Sequence, residues 1–152
     1  MTRYLSLALF IVCVVLGGTL IGIVTIPGEW YQNLAKPSFN PPNWIFGPVW
    51  TALYILIAIA GWRVWRLNPV GAPVALWSMQ LALNFAWSPI FFAAQLPRAA
   101  LIVVVSLLVV IMGFVAAAWR EDRVAALLFL PYLAWVAYAV ALNAAIVWLN
   151  QV

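Results

Sequence analysis

Histidine is absent from the 152 residues, only three residues are acidic, and cysteine occurs once. Each shortage removes a class of chemistry. Without imidazole there is no base for a Ser-His arrangement, no histidine-ligated haem and no Cys/His metal cluster. The carboxylates are Glu29, Glu121 and Asp122, all outside the long apolar runs. No carboxylate pair can therefore share a buried site, and a proton-coupled carrier would lack the intramembrane acid or histidine it needs as a relay. Cys13 cannot form an intrachain disulfide; in its apolar run a thiolate is disfavoured, so it reads as packing rather than as a ligand. Charged residues make up 7% of the chain, against roughly 25% in soluble domains. The net charge of +4 comes from seven Lys and Arg scattered at the ends of apolar runs. That distribution makes no phosphate-tracking stripe, so nucleic acid is not an expected partner.

What is abundant is hydrocarbon and indole: 68% of residues are hydrophobic, 15% aromatic, and ten are Trp. Windows of about 20 uncharged residues suffice to cross a hydrocarbon core of ~30 Å. The expected fold is an all-α integral membrane protein, a bundle of five transmembrane helices with a long proline-rich first loop. The spans run about 5–26, 45–65, 72–94, 99–119 and 124–149, and residues 1–152 form a single domain. The run after Arg3 is too long for a signal-peptide core and has no A-x-A-like cleavage site, so it is taken as the first span. Arg3, Arg63, Arg66, Arg120 and Arg123 flank one side of the bundle, and Lys36 and Arg98 the other. The positive-inside rule then puts the N-terminus in the cytoplasm and the first loop outside, for a bacterial cell membrane. Membrane lipid is the surrounding partner.

The stretch from Trp30 to Tyr54, WYQNLAKPSFNPPNWIFGPVWTALY, interrupts this hydrocarbon. Pro37, Pro41 and Pro42 lack N–H donors and fix φ, so residues 36–43 should be extended or turned rather than helical. Seven aromatic residues punctuate the stretch, as in a binding-site mouth or in an interfacial belt. The pattern WYxxLxKPxxxPPxWxFGPVWxxLY resembles the signature of the TspO/MBR family, the tryptophan-rich sensory and translocator proteins. QLALNFAWSPIFF (residues 80–92) is similar to the family's third span, and LPYLAWVAYAVALN (130–143) to its fifth.

Helical periodicity gathers three sets of residues onto three faces: Phe46, Trp50, Leu53, Tyr54 and Ile57; Gln80, Asn84, Trp87 and Phe91; Tyr132, Trp135, Ala139, Leu142 and Asn143. Counted from the spans' first-loop ends at ~1.5 Å per residue, Trp50, Trp87, Ala139 and Asn143 all fall in the outer half of the bilayer. Three such faces enclose a cavity suited to a planar, mostly apolar molecule with polar edges, such as a porphyrin. Its carboxylates would meet Lys36 or Arg98 at the mouth and the indole N–H of Trp50 or Trp135 within. The competing readings remain: core packing for the rings, interhelical bonding for Gln80, Asn84 and Asn143, and interfacial anchoring for Trp62, Trp65, Trp119 and Trp148. The resemblance implies that the positions matching Tyr31, Trp50, Asn84, Trp87, Trp135, Ala139 and Leu142 contribute; with Pro42, Tyr54 and Asn143 they make the candidate ligand-binding set, with no metal site and no required cofactor.

The resemblance implies a receptor or carrier of protoporphyrin IX-like tetrapyrroles and related flat apolar drugs, with a role in tetrapyrrole handling and stress sensing. It also implies a homodimer, for which Ala82 and Ala86 leave a smooth outer face on span three. Light- and oxygen-dependent porphyrin breakdown, using Trp50 and Trp135 as redox-active neighbours, is the enzymatic alternative; a stress-response membrane scaffold is another. Animal members end span five with a branched aliphatic, a Tyr and a Lys or Arg, a pattern proposed for sterol contact. No basic residue follows Arg123 here, so steroid transport is not inherited from the resemblance.

Overall fold

The computed structural model describes residues 2–152, with side chains from Tyr4 onward. The side chain of Arg3, used above for orientation, lies outside the described residues. Six α-helices follow one another: α1 (Thr2–Val24), α2 (Glu29–Asn33), α3 (Phe46–Leu67), α4 (Ala72–Ser88), α5 (Pro97–Glu121) and α6 (Arg123–Asn150). A 3-10 turn, Asn43–Ile45, leads into α3, and a π-helical turn, Pro89–Ala93, extends α4. No strand occurs among the described residues. Among the described residues, four stretches are long and apolar enough to cross a membrane: Tyr4–Val24, Asn43–Leu67, Pro97–Glu121 and Arg123–Asn150. α4 has 17 residues, and its π turn adds five.

The prolines set the boundaries. Pro73 and Pro97 open α4 and α5, where a missing N–H costs nothing. Pro89 cannot donate to the preceding turn, and the ladder widens there: Ala94 N donates to Pro89 O at 2.9 Å, five residues back. Between α2 and the 3-10 turn the chain is non-helical, as the proline spacing predicts, but the first loop is not wholly irregular, because α2 occupies Glu29–Asn33.

α3 packs against both α1 and α6, α6 against α5, and α5 against α4, while α1 touches α4 only lightly. The centre of the bundle is close-packed: Ile57, Ala58, Ala60, Ile111, Phe114, Ala118, Ala125, Ala126 and Phe129 are all fully buried. Phe114 and Phe129 meet with ring centroids 3.9 Å apart. Gly61 admits the Trp77 indole, since a Cβ there would stand 2.2 Å from it; the Trp77 N–H donates to Ile57 O at 2.8 Å. At this end Asp122 joins three elements. Its carboxylate accepts from Arg63 Nε and Nη2 of α3 at 2.8 and 3.0 Å, and from the N–H groups of Val124 and Ala125, capping α6. Burial raises the Asp122 pKa, but the Arg63 and backbone hydrogen bonds and the Arg63 charge outweigh it and hold the carboxyl below its usual value.

Two readings need correction. Cys13 is exposed on the outer side of α1 instead of packed. Trp62 is buried, donating from its ring N–H to Ser6 Oγ at 3.0 Å, because the C-terminal turns of α3 lie against α1. Trp65, Trp119 and Trp148 are exposed near helix ends, as interfacial anchors require.

Candidate functional site

The other end of the bundle is hollow. A cavity of about 620 Å³ is lined by residues of α1, the first loop, α3, α4 with its π turn, α5 and α6. Of the ten candidate residues, Tyr31, Trp50, Tyr54, Asn84, Trp87, Trp135, Ala139, Leu142 and Asn143 line it. Pro42 does not: it is exposed and precedes the 3-10 turn, where its fixed φ of −57° sets the entry into α3.

The walls are paired rings. Trp50 stacks on Tyr54 with centroids 5.3 Å apart and meets Tyr132 edge-on at 6.3 Å. Trp87 stacks on Phe91 at 5.2 Å, and Tyr31 meets Phe92 edge-on at 5.2 Å. Phe46 and Trp135 close a third side at 5.9 Å. The widened turn at 89–93 brings both Phe91 and Phe92 to the lining with Trp87. Gly18 matters to this geometry, since a Cβ there would lie 2.1 Å from the Tyr54 ring.

The amides both line the cavity and join helices. Tyr54 OH donates to Asn84 Oδ1 at 3.1 Å, and Asn84 Nδ2 donates to Tyr132 OH at 2.9 Å, a chain across α3, α4 and α6. Trp87 Nε1 donates to Asn143 Oδ1 at 3.2 Å, while Asn143 Nδ2 donates to Pro97 O at 3.0 Å. Such satisfaction is required of polar groups in a dry interior. Gln80 is the exception: it is fully buried away from the lining, and neither its Oε1 nor its Nε2 has a partner. Among the described residues it makes neither an interhelical bond nor a contact with the cavity.

The cavity lining contains no carboxylate, guanidinium, amine or imidazole. Lys36 and Arg98, expected at the mouth, are engaged elsewhere. Lys36 Nζ donates to Gln32 O and Leu34 O and lies 4.6 Å from the Tyr31 ring centroid. Arg98 donates to Gln151 O. Burial raises the Tyr31 phenol pKa, with the Asn40 side chain acting in the opposite sense, so Tyr31 remains a neutral donor at physiological pH. Above the cavity the first loop is tied to α6. Tyr138 OH donates to Phe39 O, and Asn150 exchanges two hydrogen bonds with the Ala35 backbone at 2.9 and 3.0 Å.

Periodicity missed the wall made by α1 and the turn after it, which includes Gly18, Ile21 and Thr25. Thr25 Oγ1 and Ser88 Oγ, 2.6 Å apart, join that wall to α4. α1 is apolar on every side, so no face stands out by pattern; Thr25 and Ser88 were the available signals.

An all-helical, multi-pass membrane bundle with one half close-packed and the other hollowed into an uncharged aromatic cavity is the class defined by this fold and site. The chain belongs to the TspO/MBR family, whose model matches residues 9–149. It is 41% identical to the tryptophan-rich protein TspO of Chlorobaculum tepidum over 97% of this chain and 98% of that protein. It is 40% identical to the tryptophan-rich sensory protein of Cereibacter sphaeroides, over 80% of this chain and 77% of that one. Identity to the human translocator protein is 39%, over 83% of this chain and 79% of the relative.

Proposed function

We propose that the chain is a receptor or carrier for protoporphyrin IX-like porphyrins and related flat apolar molecules, serving tetrapyrrole handling and stress sensing. The carrying observation is the 620 Å³ cavity walled by rings and floored by amides, within the ~300–1,000 Å³ typical of small-molecule sites. Nine of the candidate residues converge there. The indole N–H groups of Trp50 and Trp135 have no hydrogen-bond partner among the described residues, so they are free to meet polar edges of a ligand. The names sensory protein and translocator protein among the relatives agree with a ligand-responsive membrane role. In this reading α4 and its π turn make the fifth crossing, and the first loop, tied to α6, is the lid. The N-terminus is cytoplasmic in a bacterial cell membrane, and the exposed Ala82 side of α4 meets a second copy.

Photo-oxidative porphyrin breakdown is a second reading, supported by the exposure of two indoles, Trp50 and Trp135, to one cavity. Titration of protoporphyrin IX with tryptophan quenching, in the dark and then under illumination with oxygen, separates the readings. Saturable quenching with unchanged porphyrin bands is expected of a receptor. Light-dependent loss of those bands, abolished in Trp50→Phe or Trp135→Phe, would assign breakdown. Absence of quenching would remove porphyrins from the site and leave the scaffold role.

A further inference from the structure

We propose that Arg66, Arg63 and Trp62 form a site for a phosphate-bearing anion at the closed end of the bundle, with an acidic phospholipid headgroup as its source. The proposal is independent of what fills the large cavity. A second hollow, of about 270 Å³, lies between the last turns of α3 and the α5–α6 junction, lined by Trp62, Arg63, Arg66, Leu67 and Asp122. It falls below the ~300 Å³ at which drug-sized pockets begin, so it suits a headgroup-sized ligand.

The two guanidinium groups are placed differently. Arg63 is committed to Asp122 by two hydrogen bonds. Arg66 has its guanidinium carbon 4.8 Å from the Trp62 ring centroid. That cation–π contact holds the guanidinium in place, and no carboxylate or carbonyl takes its N–H groups among the described residues. That is the arrangement that recognises phosphate oxygens two at a time.

Asp122 would repel an anion, but its oxygens already accept from Arg63 and two backbone N–H groups. With two guanidinium groups and one carboxylate the hollow remains net positive. α3 ends here with unpaired carbonyls that also disfavour an anion, and Arg66 stands in that last turn. The site therefore depends on Arg66. Exposed Trp65, Leu67, Val124 and Leu127 on neighbouring turns give an apolar surface for acyl chains, which favours a lipid over soluble phosphate.

The test uses the full-length protein in phosphatidylcholine nanodiscs carrying increasing phosphatidylglycerol, with retained lipids counted by native mass spectrometry. Parallel melts are run in inorganic phosphate. Preferential retention of phosphatidylglycerol is expected, falling about fivefold in Arg66→Gln, the ~1 kcal/mol of one basic residue near an anionic surface. Arg66→Lys should keep part of the preference, because it retains charge without the fork. Arg120→Gln, at the same end but off the hollow, should leave it unchanged. Phosphate protection lost in Arg66→Gln, without lipid preference, would keep the anion site and reassign its source to soluble phosphate. Equal loss in Arg66→Gln and Arg120→Gln would reduce the effect to a diffuse surface field and overturn the site. So would equal retention of both lipids with no phosphate protection.

Discussion

The two halves of the bundle are made from the same kinds of residue and do opposite things. Toward the α5–α6 junction, Phe114, Phe129, Ile111 and Trp77 interlock around alanines and Gly61, and the 270 Å³ hollow beside Arg66 lies at the edge of that packing. Toward the first loop, Trp50, Trp87, Trp135 and Phe91 stand in pairs around empty space. The difference lies in what the rings face. In the closed half Trp77 faces Gly61 and the Phe114 and Phe129 rings close to 3.9 Å, so indole and phenyl groups fill the gaps between backbones. In the open half the ring pairs stand farther apart around the cavity, and the amides of Asn84 and Asn143 tie the helices together beside them. One half therefore supplies stability and the other room.

The sharpest break of that contrast is in the closed half. Phe114→Ala should cost about 3–5 kcal/mol by opening a cavity in a site with no exposure. Chemical denaturation in detergent should register the loss, while folded protein keeps its ligand affinity. A fall in affinity equal to that of a cavity variant would erase the distinction between the halves.

The reciprocal change belongs in the hollow. Ala139 lines the cavity and is half-buried, so Ala139→Thr adds bulk where a flat ligand needs space, costing about 1–3 kcal/mol of binding. That is an affinity loss of roughly five- to a hundredfold. The new hydroxyl can bond a carbonyl one turn back, so melting should barely move. Lowered stability with full affinity would instead mean that Ala139 serves packing.

Asp122 tests what fastens the closed half. Asp122→Ala removes a helix cap worth ~1 kcal/mol and a partly exposed ion pair worth up to ~1 kcal/mol, about 1–2 kcal/mol together. Because the folded carboxyl titrates below its ordinary value, its contribution is present above the unfolded value and lost as pH falls through the folded one. Wild type and variant should converge in melting temperature as pH drops below about 4. A gap that persists in acid would assign the effect to packing instead of charge.

The smallest expected effect is none. Porphyrin uptake into liposomes should not respond to an imposed pH gradient, since the cavity lining carries no acid, amine or histidine. Gradient-driven accumulation would require a proton path outside the hollow.

Much of this contrast was legible from residue order. Alternation of charge-free runs with prolines marked the long helices to within a few residues but not α2, and a 100° step per residue brought Trp50, Asn84, Trp87, Trp135 and Asn143 to one place. Residue order did not give a side chain's destination where that depends on the path of the folded backbone around it. Lys36 and Arg98 were free charges on paper, yet backbone carbonyls nearby in space claim both. Pro42 shared the loop with Tyr31 but turns outward. Trp62 looked terminal until α1 covered it. Gln80 shares its face with Asn84 one turn away, and nothing in the spacing tells that one amide finds partners and the other does not.

The widened turn at Pro89–Ala93 makes the site sensitive to counting as well as to identity. A π turn is an α-helix carrying one residue more than its ladder needs, which shifts the phase of everything on one side relative to the other by about 100°. Trp87 lies before that insertion, and Phe91 and Phe92 lie within it. Removing any one residue between 89 and 93 would let the ladder close up while dialling these rings out of alignment, with every amino-acid type at the site unchanged. For this helix a gap in length is a harsher lesion than a change of letter, and descendants that drift in sequence must still keep the same number of steps between Asn84 and Pro97.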